Sequence, residues 1–311
     1  MDTISNLYEY EKQKWDLIEA NKERTLKDIF DGEEESNSKG SYLKITTSND
    51  LCDLTIDKEK SLEELHSDFQ LIKGVGPKTE KKLKEKGLSS LQDLKDEGVY
   101  EKYVGEIADD IANFNISSLQ DRIQRWHNLG HPLNYHLLGL IDIEKVLFFD
   151  IETLGLNNCP VFLIGAGAYE GGKFKTDQFL ARDFDEEEAI IEGFYEKLDG
   201  YDYLASFNGR RFDSRFIKDR CRYYDITKRI ELPHFDLLHM AKGRWNEAPN
   251  HKLITLENYL FGETREGDVP SSLIPNYYKA SIKKDNPGPL IPIIKHNKLD
   301  IETLFRMLNE F

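Results

Sequence analysis

The stretch Val146-Leu147-Phe148-Phe149-Asp150-Ile151-Glu152-Thr153 is apolar, rich in β-forming residues, and carries two carboxylates two positions apart. On a strand, alternate side chains share a face, so Asp150 and Glu152 project together. Two acids side by side at the end of a buried strand repel one another and lose hydration unless a cation stands between them. A divalent metal is the economical explanation; an exposed strand edge is the alternative that these eight residues leave open.

The flanking sequence narrows the choice. After Gly155 a second apolar run, Val161-Phe162-Leu163-Ile164-Gly165-Ala166-Gly167-Ala168, leads through Glu170-Gly171-Gly172 into an alternating strand from Lys173 to Leu180. Three strands joined by short turns make an antiparallel meander. A helix is expected from about Asp185 to Leu198, with acids in its first turn and Ile190, Ile191, Phe194 and Leu198 on one stripe. A strand at Tyr203-Leu204-Ala205-Ser206-Phe207 then feeds Asn208-Gly209-Arg210-Arg211-Phe212-Asp213 and another helix, which puts a third carboxylate at a strand-to-helix junction. Near the end, His296-Asn297-Lys298-Leu299-Asp300 places His296 and Asp300 one helical turn apart on one face.

This order of elements, with Phe-Asp-Ile-Glu-Thr at 149–153 and Asn-Gly-x-x-Phe-Asp at 208–213, resembles the RNase H-like fold of the DEDD 3′–5′ exonucleases, and within them the YprB-like branch. The resemblance spans roughly residues 140–311. It includes Phe235-Asp236-Leu237-Leu238, Lys252-Leu253-Ile254-Thr255-Leu256-Glu257, Arg265-Glu266-Gly267-Asp268-Val269-Pro270 and Ile274-Pro275-Asn276-Tyr277-Tyr278. It implies an α/β domain with a mixed five-stranded sheet and flanking helices. It places the family's four metal-binding acids on Asp150, Glu152, Asp213 and Asp300, and its general base on His296. The histidine-type enzymes carry the base five residues before the last acid and the tyrosine type four; here a histidine stands at the four-residue spacing. That leaves two roles for His296, accepting a proton or orienting water, beside the plainer one of packing near a helix start. Asp236 either supports a metal ligand from behind or caps the helix that follows. Asn208 is expected to shape the floor beside Asp213. Arg265, Asp268, Lys252 and Tyr277 are candidates for fixing a loop over the cleft or touching substrate phosphates.

The whole chain of 311 residues has a formal net charge of -15, with 32% charged and 39% hydrophobic residues. Such acidity argues against holding nucleic acid by bulk charge, so any contact must be local. No run approaches the roughly 18 apolar residues of a membrane span. The first residues lack the pattern of a signal peptide, and Cys52, Cys159 and Cys221 are widely spaced, which suggests the cytoplasm and no structural zinc. Residues 71–90 reverse the charge with six lysines against two glutamates. There Lys73-Gly74-Val75-Gly76-Pro77-Lys78 opens a helix carrying Lys81 and Lys82, which resembles a helix-hairpin-helix DNA-binding element. Its glycines let the backbone approach a phosphate, and its helix start offers free N–H groups. A plain helical corner with a solvated lysine face is the competing reading. Residues 31–40, with no apolar side chain, read as a flexible linker. The expected organisation is an acidic region at 1–60, a helical nucleic-acid-binding module at 61–130 and the exonuclease domain at 140–311. His127, His131 and His136 between them fit a connector better than a metal site, because Gly130 and Pro132 break the helix that would align them.

The function expected is a nuclease using two Mg²⁺ or Mn²⁺ ions, a 3′–5′ exonuclease acting on DNA. An exoribonuclease, a structure-specific endonuclease and a non-catalytic nucleic-acid-binding protein on the same fold are the alternatives. Membrane partners are not expected.

Overall fold

Strand β3 (Val146–Thr153) lies inside a sheet that also contains β1 (Gly32–Asn37), β2 (Gly40–Asn49), β4 (Val161–Glu170), β5 (Lys173–Leu180), β6 (Tyr203–Ser206) and β7 (His234–Asp236). The structure, a computed structural model, describes residues 2–51, 54 and 56–311; Cys52 lies outside the described residues. The order in the sheet is β1-β2-β5-β4-β3-β6-β7. Neighbours are antiparallel from β1 to β3, and β3, β6 and β7 run parallel. The meander expected from sequence is β3-β4-β5, and β6 and β7 complete the five-stranded mixed sheet.

Two strands go beyond that expectation, because residues 32–49 form a hairpin on the free edge of β5 where a flexible linker was expected to begin. β1 buries nothing apolar of its own, so composition marked it as linker. It is held instead by cross-strand partners: Glu35 accepts from Tyr42 Oη at 2.9 Å and from Lys44 Nζ at 3.1 Å, and Glu34 pairs with Arg182 Nη1 at 3.2 Å. β2 supplies the burial, through Tyr42, Leu43 and Ile45. The row of acids on the outermost strand also discourages pairing with another sheet. The N-terminal helix Asp2–Ala20 packs nearby, where Tyr277 Oη donates to the Tyr10 carbonyl at 2.6 Å and Asn286 Nδ2 to the Ile18 carbonyl at 3.0 Å. Tyr277, expected as a substrate contact, is thereby buried and committed to holding this helix.

The helices Lys58–Ser67, Pro77–Glu85, Leu91–Asp96, Glu101–Ala112 and Ile116–Trp126 build the all-helical region. Pro77 opens its helix with Gly76 at the cap, and Ser90 and Asp93 form a capping box at the next. Leu65, Phe69, Leu119 and Ile123 share one hydrophobic core with Val146 and Phe148 of β3 and with Phe305 near the C-terminus. The helical region is thus seated on one face of the sheet. The histidine segment is a connector: His127 and His131 stack at 4.0 Å, and Gly130 lies against the backbone of His239 and Gly243.

Candidate active site

Alternation along β3 sorts its side chains between two layers. Leu147, Phe149 and Ile151 enter the core on one face, while Val146 and Phe148 enter the core on the other, and Asp150 and Glu152 continue that second face. The C-terminal helix Leu290–Leu308 crosses there. Gly165 on β4 makes its close approach possible, since a Cβ at that position would fall 2.2 Å from Asn297 Oδ1 and 2.3 Å from Ile301 Cδ1. Because β3, β6 and β7 are parallel, their C-terminal ends lie on one edge, where ligands of α/β sheets bind. Asp150, Glu152, Asp213 and Asp236 gather at that edge.

Each acid has a local reason for its place. Asp213 opens the helix Asp213–Tyr223 and accepts from the Ile151 N–H at 3.1 Å, which ties the third carboxylate to the strand carrying the first two. Gly209 allows the turn before it, as a Cβ there would fall 2.3 Å from Ser206 Oγ. Asp236 is a helix cap, as one of its two expected roles had it, and it also holds a loop. It caps the helix Leu237–Arg244 through the Leu238 N–H at 3.2 Å, and it accepts from the Asn208 N–H at 2.8 Å and the Arg210 N–H at 3.3 Å, fixing the loop that delivers Asp213. Asn208 itself sits in a left-handed conformation, φ 64°.

The carboxylates raise one another's pKa. Burial, then the charges of Asp300, Asp213 and Glu152, hold the Asp150 carboxyl well above the ordinary carboxylate range. Glu152, 8% exposed, is raised in the same way by burial and by Asp300 and Asp213. Burial pushes Asp213 up to about 7 against the lowering effect of its backbone hydrogen bonds. Three carboxylates therefore favour the protonated state unless positive charge arrives. Arg265 Nη1 donates to the fourth acid, Asp300, at 2.5 Å. Arg265 also donates to Glu257 at 2.7 Å and is only 3% exposed in its side chain, so the phosphate contact expected of it is replaced by an internal ion-pair network. A guanidinium among buried carboxylates forms charge-assisted bonds that a solvent-facing phosphate ligand could not keep.

His296 Nδ1 donates to Asp268 Oδ1 at 2.7 Å, which leaves Nε2 facing Asp300 Oδ2 at 3.4 Å and Ser271 Oγ at 3.5 Å. Burial pulls its pKa down, but the Asp268 hydrogen bond and the charges of Asp300, Asp268 and Asp150 outweigh it, and the net shift is upward. Asp268 is thus the partner that orients the imidazole. Asn297 and Gln178 were not singled out from the sequence. Asn297 Nδ2 donates to Asp150 Oδ2 at 2.9 Å while its Oδ1 accepts from Gln178 Nε2 at 2.8 Å, so a buried amide pair holds the first carboxylate in place. A polar residue beside His296, on a helix destined to lie on a sheet, was the available signal.

The donor set of Asp150, Glu152 and Asp213, with no sulfur among them, fits a hard, oxygen-seeking divalent ion. Among the described residues no group of three or more His, Cys, Asp or Glu side chains is drawn together closely enough to hold one as they stand. Of the expected nucleic-acid contacts, Lys73, Gly74, Lys78 and Lys81 are exposed and Gly76 half-buried on the helical region, while Lys252 is exposed before the helix Leu253–Phe261. Among the described residues no helix is long and apolar enough to cross a membrane.

An edge of clustered acids on parallel strand ends, fed by an antiparallel meander, defines the RNase H-like class of nuclease folds. The family model described as RNase_H superfamily matches residues 147–311, more than half of the chain, and the chain belongs to that superfamily. It is 29% identical over 202 residues to the uncharacterized protein YprB of Bacillus subtilis (strain 168), a stretch covering 62% of this chain and 48% of that protein. The chain therefore spans about half the length of this curated relative. A family B DNA polymerase from the archaeon Pyrobaculum calidifontis aligns with a TM-score of 0.42 at 16% identity, over 53% of this chain and 24% of the polymerase.

Proposed function

We propose that the chain is a divalent-metal-dependent 3′–5′ exonuclease that hydrolyses phosphodiester bonds in DNA. The observation that carries this reading is the trio Asp150, Glu152 and Asp213, three carboxylates on one sheet edge, each raised in pKa by burial and by its neighbours. With Asp300 they are the residues that would hold two Mg²⁺ or Mn²⁺ ions, and ions bound there supply charge neutralisation and an acidified water. His296 would accept a proton at Nε2, because Asp268 holds Nδ1. Arg265 donates to Asp300 and orients it toward the site.

Lys73, Gly74, Gly76, Lys78 and Lys81 form a second contact, where an exposed lysine face and a helix start meet the phosphate backbone of duplex DNA. That segment favours DNA over RNA, which the carboxylates do not distinguish. The free thiols Cys159 and Cys221 suit a reducing cytoplasm. The test is a digestion panel of single-stranded DNA, duplex DNA and RNA, each labelled at the 3′ or the 5′ end, with Mn²⁺. Stepwise shortening of 5′-labelled DNA with early release of the 3′ label is expected. Faster loss of RNA overturns the substrate assignment, and internal fragments overturn the exonuclease assignment.

A further inference from the structure

Beside Asp213 a cleft of about 850 Å³ opens between the loop that follows β3 and the helix Asp213–Tyr223. Asn208 and Phe212 line the end nearest the carboxylates; Leu156, Arg211, Arg215, Arg222 and Tyr223 line the remainder. Arg215 and Arg222 are seven residues apart, two turns on one helix face, and Arg211 stands one further turn before Arg215. All three are exposed. One carboxylate accompanies them, Asp219, which lies 3.2 Å from Arg222 Nη1 and 3.9 Å from Arg215 Nε. In a chain of net charge -15 this is a local excess of positive charge at the mouth of an acidic site.

The cleft also presents apolar surface. Leu156 is 77% and Tyr223 69% exposed. The Arg220 guanidinium lies 4.3 Å from the Tyr223 ring centroid and is itself anchored by Glu187 and by the Tyr224 hydroxyl. One side of the Tyr223 ring is therefore backed by a fixed cation. The ring also meets Tyr224 at 4.9 Å and nearly perpendicular, and the rest of its surface is exposed; exposed arginines beside such an aromatic are the parts of a groove that tracks a phosphate backbone while unpaired bases stack. A duplex hides its base faces and could not use Tyr223.

We infer that this cleft binds single-stranded nucleic acid, and that Arg211, Arg215, Arg222 and Tyr223 hold the strand whose end reaches Asp150, Glu152 and Asp213. The inference rests on the nuclease reading above and names the form of its substrate. Binding of a fluorescein-labelled oligothymidylate across a salt series, measured in the full chain carrying Asp150→Asn to prevent cutting, tests it. Each phosphate contact adds about 0.7 to the slope of log K against log salt for a single strand. Adding Arg215→Gln and Arg222→Gln together should lower that slope by about 1.4. Adding Tyr223→Ala should weaken binding by about five- to a hundredfold, the effect of one lost stack. An unchanged slope and affinity in these variants, or equal sensitivity to Tyr223→Ala with a blunt duplex of the same length, would overturn the inference. Melting curves matching that of the Asp150→Asn chain establish that the variants are folded. Hydrolysis of bis-p-nitrophenyl phosphate by the parent tests the nuclease reading separately, because that diester is too small to reach the arginines. A parent inert on it, with binding that still depends on Arg215 and Arg222, removes the nuclease reading and leaves a single-strand binding cleft.

Discussion

Asp213 carries the clearest consequence at the scale of single residues. Its pKa in the folded chain, about 7, lies above the ordinary 3.8, so between those values the folded state binds more protons than the unfolded one. Without divalent ions its contribution to stability therefore falls as pH rises from about 4 to about 7, and the cost is complete above that range. Asp213→Asn removes the charge and keeps an oxygen to accept from the Ile151 N–H. In chelator above pH 7 this variant should be more stable than the parent and unfold at a higher temperature. The advantage should shrink toward pH 4, and added Mn²⁺ should stabilise the parent more than the variant; thermal melts across pH check all three. Arg265→Met acts oppositely. It leaves buried Glu257 and half-buried Asp300 without their cation, and denaturant titration should show a loss of about 3–5 kcal/mol. The shared face of Asp150 and Glu152 was legible from strand alternation; Asp213 and Asp300 were placed beside them by the family resemblance. The roles of Arg265 and Asn297 were not legible, since they depend on which helix lies over which strand, and only the packing at Gly165 decides that.

Among the elements, the hairpin of β1 and β2 shows most plainly what a one-dimensional reading misses. Its outer strand has no hydrophobic period to detect, and its inner strand pairs with β5, more than a hundred residues away in sequence. Of the central five strands, β3, β4 and β6 carry apolar runs and β5 an apolar alternation, whereas residues 32–37 are ordered by what they pair with. A chain lacking residues 1–49 loses the burial of Tyr42, Leu43 and Ile45, worth about 1.5–3 kcal/mol each, and bares the edge of β5. That is comparable to the whole stability of a typical domain. The truncated chain should elute as aggregate in size-exclusion chromatography; a monomer melting at the parent's temperature would show that the hairpin is only an appendage.

Across the whole molecule the formal charge of -15 is divided by position. The edge hairpin and the strand ends around Asp150 hold acids, while a run of exposed lysines lies within residues 73–86 and exposed arginines lie on the helix Asp213–Tyr223. The helical region shares a hydrophobic core with the sheet, so the two surfaces are parts of one body. If the lysine face grips duplex DNA beyond the end being cut, Lys73→Glu with Lys78→Glu and Lys81→Glu should weaken binding of a long duplex with a single-stranded 3′ tail at least tenfold. Binding of a short single strand should change far less; fluorescence anisotropy with the two substrates makes the comparison. The central claim, that the acids on the sheet edge cut phosphodiesters with the help of divalent ions, is tested most directly by digesting an end-labelled DNA strand with the parent chain and with Asp150→Asn, each in Mn²⁺ and in excess chelator. Shortened products from the parent in Mn²⁺ alone, with at least about a hundredfold less from the variant, is the expected result; equal digestion by both proteins, or digestion that persists in chelator, would contradict it.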